Sequence, residues 1–187
     1  MNLRTLIPAV VIATLITGTC YADGPDSKAN YFGTLYASLC MKNLNDLEAL
    51  RTSLVGKGLP KFPPEQASLF LRGNAGDAWP VPFEGTMGNF VVALFSNKSF
   101  CAVYARRATQ ADVERQFVQL VGTAPSPLVS EVKQDTTADT GPNGKAHTIS
   151  YTWSLPQAHR KMLFTLTTAN SEDAQLQAMA SAAMINE

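Results

Sequence analysis

Few residues in this chain are of a type and spacing that could do chemistry. Two histidines, His147 and His159, stand far from the one-turn spacing of paired metal ligands on a helix. No serine sits in a Gly-x-Ser-x-Gly elbow, and no phosphate-cradling glycine loop leads into a helix. Cys101, flanked by Phe100 and Ala102, lies in an apolar run that raises a thiol's pKa and so disfavours a nucleophile. The acid pairs Asp46 with Glu48 and Glu172 with Asp173 fall at helix starts, where the helix dipole accounts for them. These residue types imply no catalytic group, no metal site and no cofactor.

Three residues are left as candidates for binding. Arg106 and Arg107, at the exit of an apolar strand, can hold a carboxylate or an acidic patch; the competing reading is two solvated strand-end arginines. Trp79, in the proline-rich stretch Ala78-Trp79-Pro80-Val81-Pro82, would lose little conformational freedom on binding, which suits an interface anchor. Packing of its ring onto its own sheet is the alternative.

The compartment is read from the N-terminus. Arg4 is followed by an apolar run from Leu6 to Thr19, and Cys20-Tyr21-Ala22 offers small residues where a signal peptidase reads, so residues 1–22 are expected to be a signal peptide. That run is short for a bilayer crossing, and no later segment is as long and apolar. Lipid anchoring at Cys20 is the competing expectation. It is disfavoured because Thr19 stands where a small Gly, Ala or Ser normally precedes a lipidated cysteine. Either way Cys40 and Cys101 remain as a pair in an oxidising compartment, where a disulfide is the default.

Removal of the leader takes away Arg4 and no acid, leaving 14 basic against 15 acidic side chains. A balance so near neutrality argues against nucleic acid as a partner and against electrostatic docking on a membrane. Residues 23–187 suffice for one domain with a proper core.

That core is centred on Gly88 to Gly122. Two apolar runs, Phe90 to Phe95 and Phe100 to Tyr104, flank the polar turn Ser96 to Ser99 and predict a hairpin of buried strands. Thr109 can then cap a helix carrying Val113, Phe117, Leu120 and Val121 on one face. Upstream, residues 23–73 read as helical. Phe32 to Cys40 has helical spacing, Asn45 opens a second helix with Glu48 three residues on, and Pro63-Pro64 starts a third that ends before Gly73. Residues 74–187 read as sheet with two helices. The Trp79 segment, short of two amides, can only be an edge strand. Leu128 to Thr137 predicts a strand, His147 to Trp153 alternates strictly, and Met162, Phe164 and Leu166 alternate in another. Leu176, Met179, Ala180, Ala183 and Met184 predict a closing helix. The expectation is an α+β domain: an antiparallel sheet of five to six strands with two helices on one face, in which a strand-turn-strand-helix unit occurs twice, plus an N-terminal helical segment.

Several stretches resemble a family of small exported proteobacterial proteins, some of them predicted lipoproteins. They are Leu59-Pro-Lys-Phe-Pro-Pro-Glu-Gln-Ala-Ser-Leu-Phe-Leu, Ala78-Trp-Pro-Val-Pro, Phe100-Cys-Ala-Val-Tyr-Ala-Arg-Arg, Tyr151-Thr-Trp-Ser and Asp173-Ala-Gln-Leu-Gln-Ala-Met-Ala-Ser-Ala-Ala. The resemblance implies export and a single compact domain and transfers no catalytic residue. Together these observations point to a periplasmic protein that works without catalysis by binding a protein partner, in the manner of an inhibitor or immunity protein for an envelope-acting enzyme or toxin. A carrier of a small ligand or lipid, with its pocket between the sheet and the N-terminal helices, is the alternative, and a hydrolase of unrecognised type the third.

Overall fold

The computed structural model describes residues 26–141 and 144–187. The expected signal peptide, and Cys20 with it, lies outside the described residues. The order of elements is α1 (Ser27–Leu35), a π-helical turn (Tyr36–Met41), α2 (Leu47–Gly56), α3 (Pro64–Leu71), β1 (Gly76–Phe83), β2 (Thr86–Phe95), β3 (Phe100–Ala105), α4 (Gln110–Val121), β4 (Val129–Asp139), β5 (Lys145–Ser154), β6 (Arg160–Ala169) and β7 (Ala178–Asn186). The strands form one antiparallel sheet of seven, ordered β1-β2-β3-β7-β6-β5-β4. Two meanders, β1 to β3 and β4 to β7, join where β3 pairs with β7 from Phe100↔Ala183 to Ala105↔Ala178.

The class is the expected one, and three expectations are corrected. The sheet has seven strands, not five to six. The closing helix is β7, a central strand, so the second strand-turn-strand-helix unit does not exist and α4 has no counterpart. Alanine favours helix locally, yet β3 and β6 each need a partner for their inner amides, and β7 fills the slot between them. Its small residues have a packing reason as well. Ala178, Ala180 and Ala182 lie beneath the N-terminal helical layer, and the buried Tyr36 comes close enough for its hydroxyl to donate to the Ser181 carbonyl at 2.8 Å. Third, α2 is capped by Asp46, not Asn45: Asp46 Oδ1 accepts from the Ala49 amide at 2.9 Å, and Glu48 is turned to Arg51.

One face of the sheet carries α1, the π-helical turn, α2 and α4 over a core containing Phe32, Tyr36, Trp79, Phe90, Phe117 and Phe164. The π-helical turn places Cys40 over β3, where it forms a disulfide with Cys101, Cα to Cα 5.3 Å, both cysteines fully buried. Asp26 joins two helix starts: Oδ1 accepts from the Lys28 amide of α1 at 2.9 Å and Oδ2 from the Thr109 amide before α4 at 2.8 Å. Thr109 occupies the N-cap position of α4 without a side-chain capping bond of its own. On the opposite face α3 packs on β1 and β2, with Ala67 and Leu71 against Ala78, Ala93 and Phe95. Arg51 ties α2 to β1 by pairing with Asp77, which Lys61 also holds at 2.7 Å.

The two sheet edges differ. β1 lacks amides at Pro80 and Pro82, and its carbonyls at Ala78 and Pro82 accept from the Phe62 amide and the Tyr31 hydroxyl, each at 2.9 Å. β4 runs along the other edge, exposed over nearly its whole length, with a bulge between Val132 and Gln134.

Candidate functional site

Strand pairing assigns each side chain of the second meander to a face. Ile149, Tyr151, Trp153, Phe164 and Leu166 point into the helix-covered core. Their neighbours in the chain, Thr148, Ser150, Thr152, Leu163, Thr165 and Thr167, therefore point the other way. The Thr148 and Thr167 hydroxyls meet across the β5–β6 ladder at 3.0 Å, which confirms the shared face. Ser181 and Ala183 of β7 continue it. α3 covers the β1–β2 end of this face, and among the described residues no helix packs over the β4–β6 end. The open half is rich in hydroxyls, those of Ser150, Thr152 and Ser181 buried in its middle and those of Thr148, Thr165 and Thr167 half-exposed, and it is charged at Glu131, which pairs with Thr152 from β4, and along its far border. There Glu187 binds Lys133 at 3.0 Å and Lys161 at 2.8 Å.

Between α3 and the open half runs a groove of two connected clefts that share Arg72 and Met179. One, of about 230 Å³, is lined by Phe95, Phe100, Tyr104 and Lys98. The other, of about 380 Å³, extends past Leu69 and Leu176 to Thr167. Neither lining includes a carboxylate side chain.

On the helix-covered side, a cleft of about 710 Å³ opens at the start of α4, walled by Lys28, Arg107, Gln110, Glu114 and Glu172. Glu114 Oε1 accepts from the Thr168 hydroxyl at 2.5 Å and from Gln110 Nε2 at 2.7 Å, and lies 3.0 Å from His147 Nδ1. On the other side of the ring, His147 Nε2 lies 2.8 Å from Asp135 Oδ1. The Asp135 hydrogen bond first, then that to Glu114, raises the His147 pKa against the opposing effect of burial. Burial pushes the Glu114 pKa up, but the bonds from Thr168, Gln110 and His147 outweigh it and leave the carboxyl below its usual range. Both ring nitrogens of His147 are engaged by carboxylates, and the raised pKa favours the charged ring between them. The cluster is an ionic clasp joining α4, β4 and β5.

The residues singled out from sequence fall in three different places. Trp79 is fully buried in the core, its Nε1 without a hydrogen-bond partner among the described residues. Of its two readings, packing onto its own sheet is the one observed, and the ring offers a partner no surface. The reason is register: Trp79 pairs with Val92 on the helix-covered face of β1, and the flanking prolines occupy alternate positions along the edge. Arg107 is half-buried, and its Nη1 donates to the Arg106 and Ala174 carbonyls at 2.7 and 2.8 Å, so it fastens the β6–β7 connection while forming one wall of the α4 cleft. Arg106 is exposed beside it. Cys40 and Cys101 are joined as expected.

Sequence reasoning missed the groove and the clasp. The signal for the clasp was present: His147 begins the alternating stripe of Ile149, Tyr151 and Trp153, and a histidine on a core-facing stripe needs polar partners. The groove had no such signal, because Met179 becomes a wall only once β7 is a strand.

Among the described residues no helix is long and apolar enough to cross a membrane. Comparison with protein-family models, with curated proteins and with solved structures returns no match to this chain.

Proposed function

We propose that this is an exported binding protein of the cell envelope that engages another protein through the open half of its sheet, as an inhibitor or immunity-type protein does. The observation that carries the reading is the division of the sheet: one side filled by helices and aromatic side chains, the other without a packed helix over β4 to β6 among the described residues and bearing the half-exposed Thr148, Leu163, Thr165 and Thr167. An open sheet face of this kind suits a broad protein contact, in which shape and many modest hydrogen bonds combine, and does not enclose a small molecule. The space between the sheet and α1 and α4, where a carrier would hold its cargo, is occupied by Phe32, Tyr36 and Phe117. The buried Cys40–Cys101 disulfide is in keeping with the oxidising compartment that the expected leader specifies.

The test uses a photo-cross-linking amino acid placed at Thr165, on the open half, or at Gln119, exposed on α4, in the full-length protein expressed for export. Irradiation of whole cells followed by purification under denaturing conditions is expected to yield one defined protein adduct from Thr165 and none from Gln119. Equal labelling from both positions, or none from Thr165, would refute the reading.

A further inference from the structure

We propose that the groove between α3 and strands β3 and β7 is the anchor pocket of that surface, and that it takes a large apolar side chain from a polypeptide segment with carboxylates beside it. The inference deepens the binding-protein reading and rests on it.

The floor of the smaller cleft is apolar and firmly held. Phe95 and Phe100 meet edge to face with centroids 4.6 Å apart, and Met179 closes the far side. Tyr104 is the one floor residue with a polar tip. Its hydroxyl is committed to the Phe70 carbonyl at 2.6 Å, which leaves the ring to act as apolar surface. Aromatic and methionine side chains that are already packed lose little freedom when a partner arrives, which is the character of interface anchors.

The rim is basic. Asn74 Oδ1 accepts from Lys98 Nζ at 2.6 Å and so holds the ammonium at the mouth of the cleft. Arg72 stands at the junction of the two clefts and is exposed. Its backbone is left-handed, φ 47° and ψ 48°, at the C-cap of α3, where glycine would be unstrained. Among the described residues neither cation is paired with a carboxylate, a state they share with other surface cations such as Lys42, Lys57 and Arg160; what sets these two apart is that both line one apolar cleft. An apolar floor under two uncompensated cations is complementary to an apolar residue flanked by Asp or Glu.

Depth and continuity decide between a polypeptide and an acyl chain. The smaller cleft, about 230 Å³, is open and has room for one or two side chains. An acyl chain laid along both clefts would pass from the apolar floor onto Thr140, Thr167, Thr168 and Gln175, which offer it no continuous apolar wall. A protein segment brings its own cover, and through Met179 and Thr167 the groove leads directly onto the open half of the sheet.

The experiment selects from a random peptide library displayed on phage against the immobilised mature protein, then measures synthetic consensus peptides in solution. The expected result is enrichment of Trp, Phe, Leu or Met next to Asp or Glu. Arg72→Glu/Lys98→Glu should weaken binding by about tenfold or more, and binding should also weaken between low salt and about 0.5 M NaCl. Both positions are exposed, and an unchanged circular dichroism spectrum and unfolding midpoint would certify the double variant's fold. No enriched motif, a basic motif, or a consensus indifferent to the double variant would overturn the inference. So would tight oleate binding lost in that variant without any enriched peptide, since the groove would then be a lipid site. Peptides lost with Thr165→Arg but retained by Arg72→Glu/Lys98→Glu would remove the groove and leave the binding-protein reading standing. Failure of the Thr165 cross-link, by contrast, removes that reading itself.

Discussion

Replacing Cys40 and Cys101 together by alanine should cost about 4 kcal/mol of folding stability, a large share of the roughly 5–15 kcal/mol of an ordinary domain. The magnitude follows from the chain. The bridge spans a separation of 61 residues, and in the chain-entropy description closing a loop of that size removes about 14 cal/mol/K from the unfolded ensemble. Both cysteines are fully buried, so truncation also gives up the contacts of two sulfurs, whereas serine would instead strand two hydroxyls without partners. Alanine is therefore the cleaner substitution. Urea unfolding followed by circular dichroism reads the effect: with a slope of about 2 kcal/mol/M, the midpoint should fall by about 2 M. Wild-type protein unfolded and refolded in the presence of a reductant should show most of the same loss, because it lacks the same constraint while keeping its two sulfurs. The N-terminal helical layer should be the first part to loosen, since the bridge fastens the π-helical turn to β3. A midpoint within about 0.3 M of wild type would refute the entropic reasoning. Two alkylated thiols in folded, exported protein without any reductant would refute the bridge itself.

The clasp of His147 with Glu114 and Asp135 should give stability a defined pH dependence. The folded His147 pKa is raised above 6.5, so its contribution is complete below that pH and is lost as pH rises through the raised value. The Glu114 pKa is lowered from 4.5, so its contribution is present above 4.5 and is lost as pH falls through the lowered value. The stability difference between wild type and His147→Gln should accordingly be largest between 4.5 and 6.5 and shrink in alkaline solution. A difference constant from acid to alkaline pH, measured by urea midpoints, would show that the imidazole is not charged in the fold. At the start of β1, a Cβ on Gly76 would overlap the Leu94 carbonyl oxygen and press on Leu71. Gly76→Ala should therefore destabilise by about 1–3 kcal/mol in the same assay, and an unchanged midpoint would mean that β1 and α3 can shift apart freely.

What could be read from the sequence followed the strength of local pattern. The β2–β3 hairpin, α4, α3 behind its paired prolines, and the strict alternation of β5 all carry their geometry in consecutive residues, and all were legible. β1 was placed at an edge because two prolines cannot serve a central ladder. β7 failed for the opposite reason: Ala178 to Ala183 has a helix-former's composition, and only the vacancy between β3 and β6 makes it a strand. That one error hid the groove, because Arg72, Phe100 and Met179 are adjacent only across the β3–β7 ladder and under α3. Asp26, Glu114 and His147 act on elements distant in sequence, so the stripe could show that His147 needs polar partners but not which residues supply them. Trp79 was judged by its rigid flanks, whereas its fate was set by the face of β1 on which register puts it.

The unlike borders of the sheet limit how copies of this protein can add to one another. At β1 the missing amides of Pro80 and Pro82, and the carbonyls of Ala78 and Pro82 already taken by Phe62 and Tyr31, leave an incoming strand an interrupted ladder. Growth by strand addition therefore favours one address, along β4. Two molecules joined there would each turn the proline-interrupted β1 outward, which disfavours further addition and the growth of a fibre.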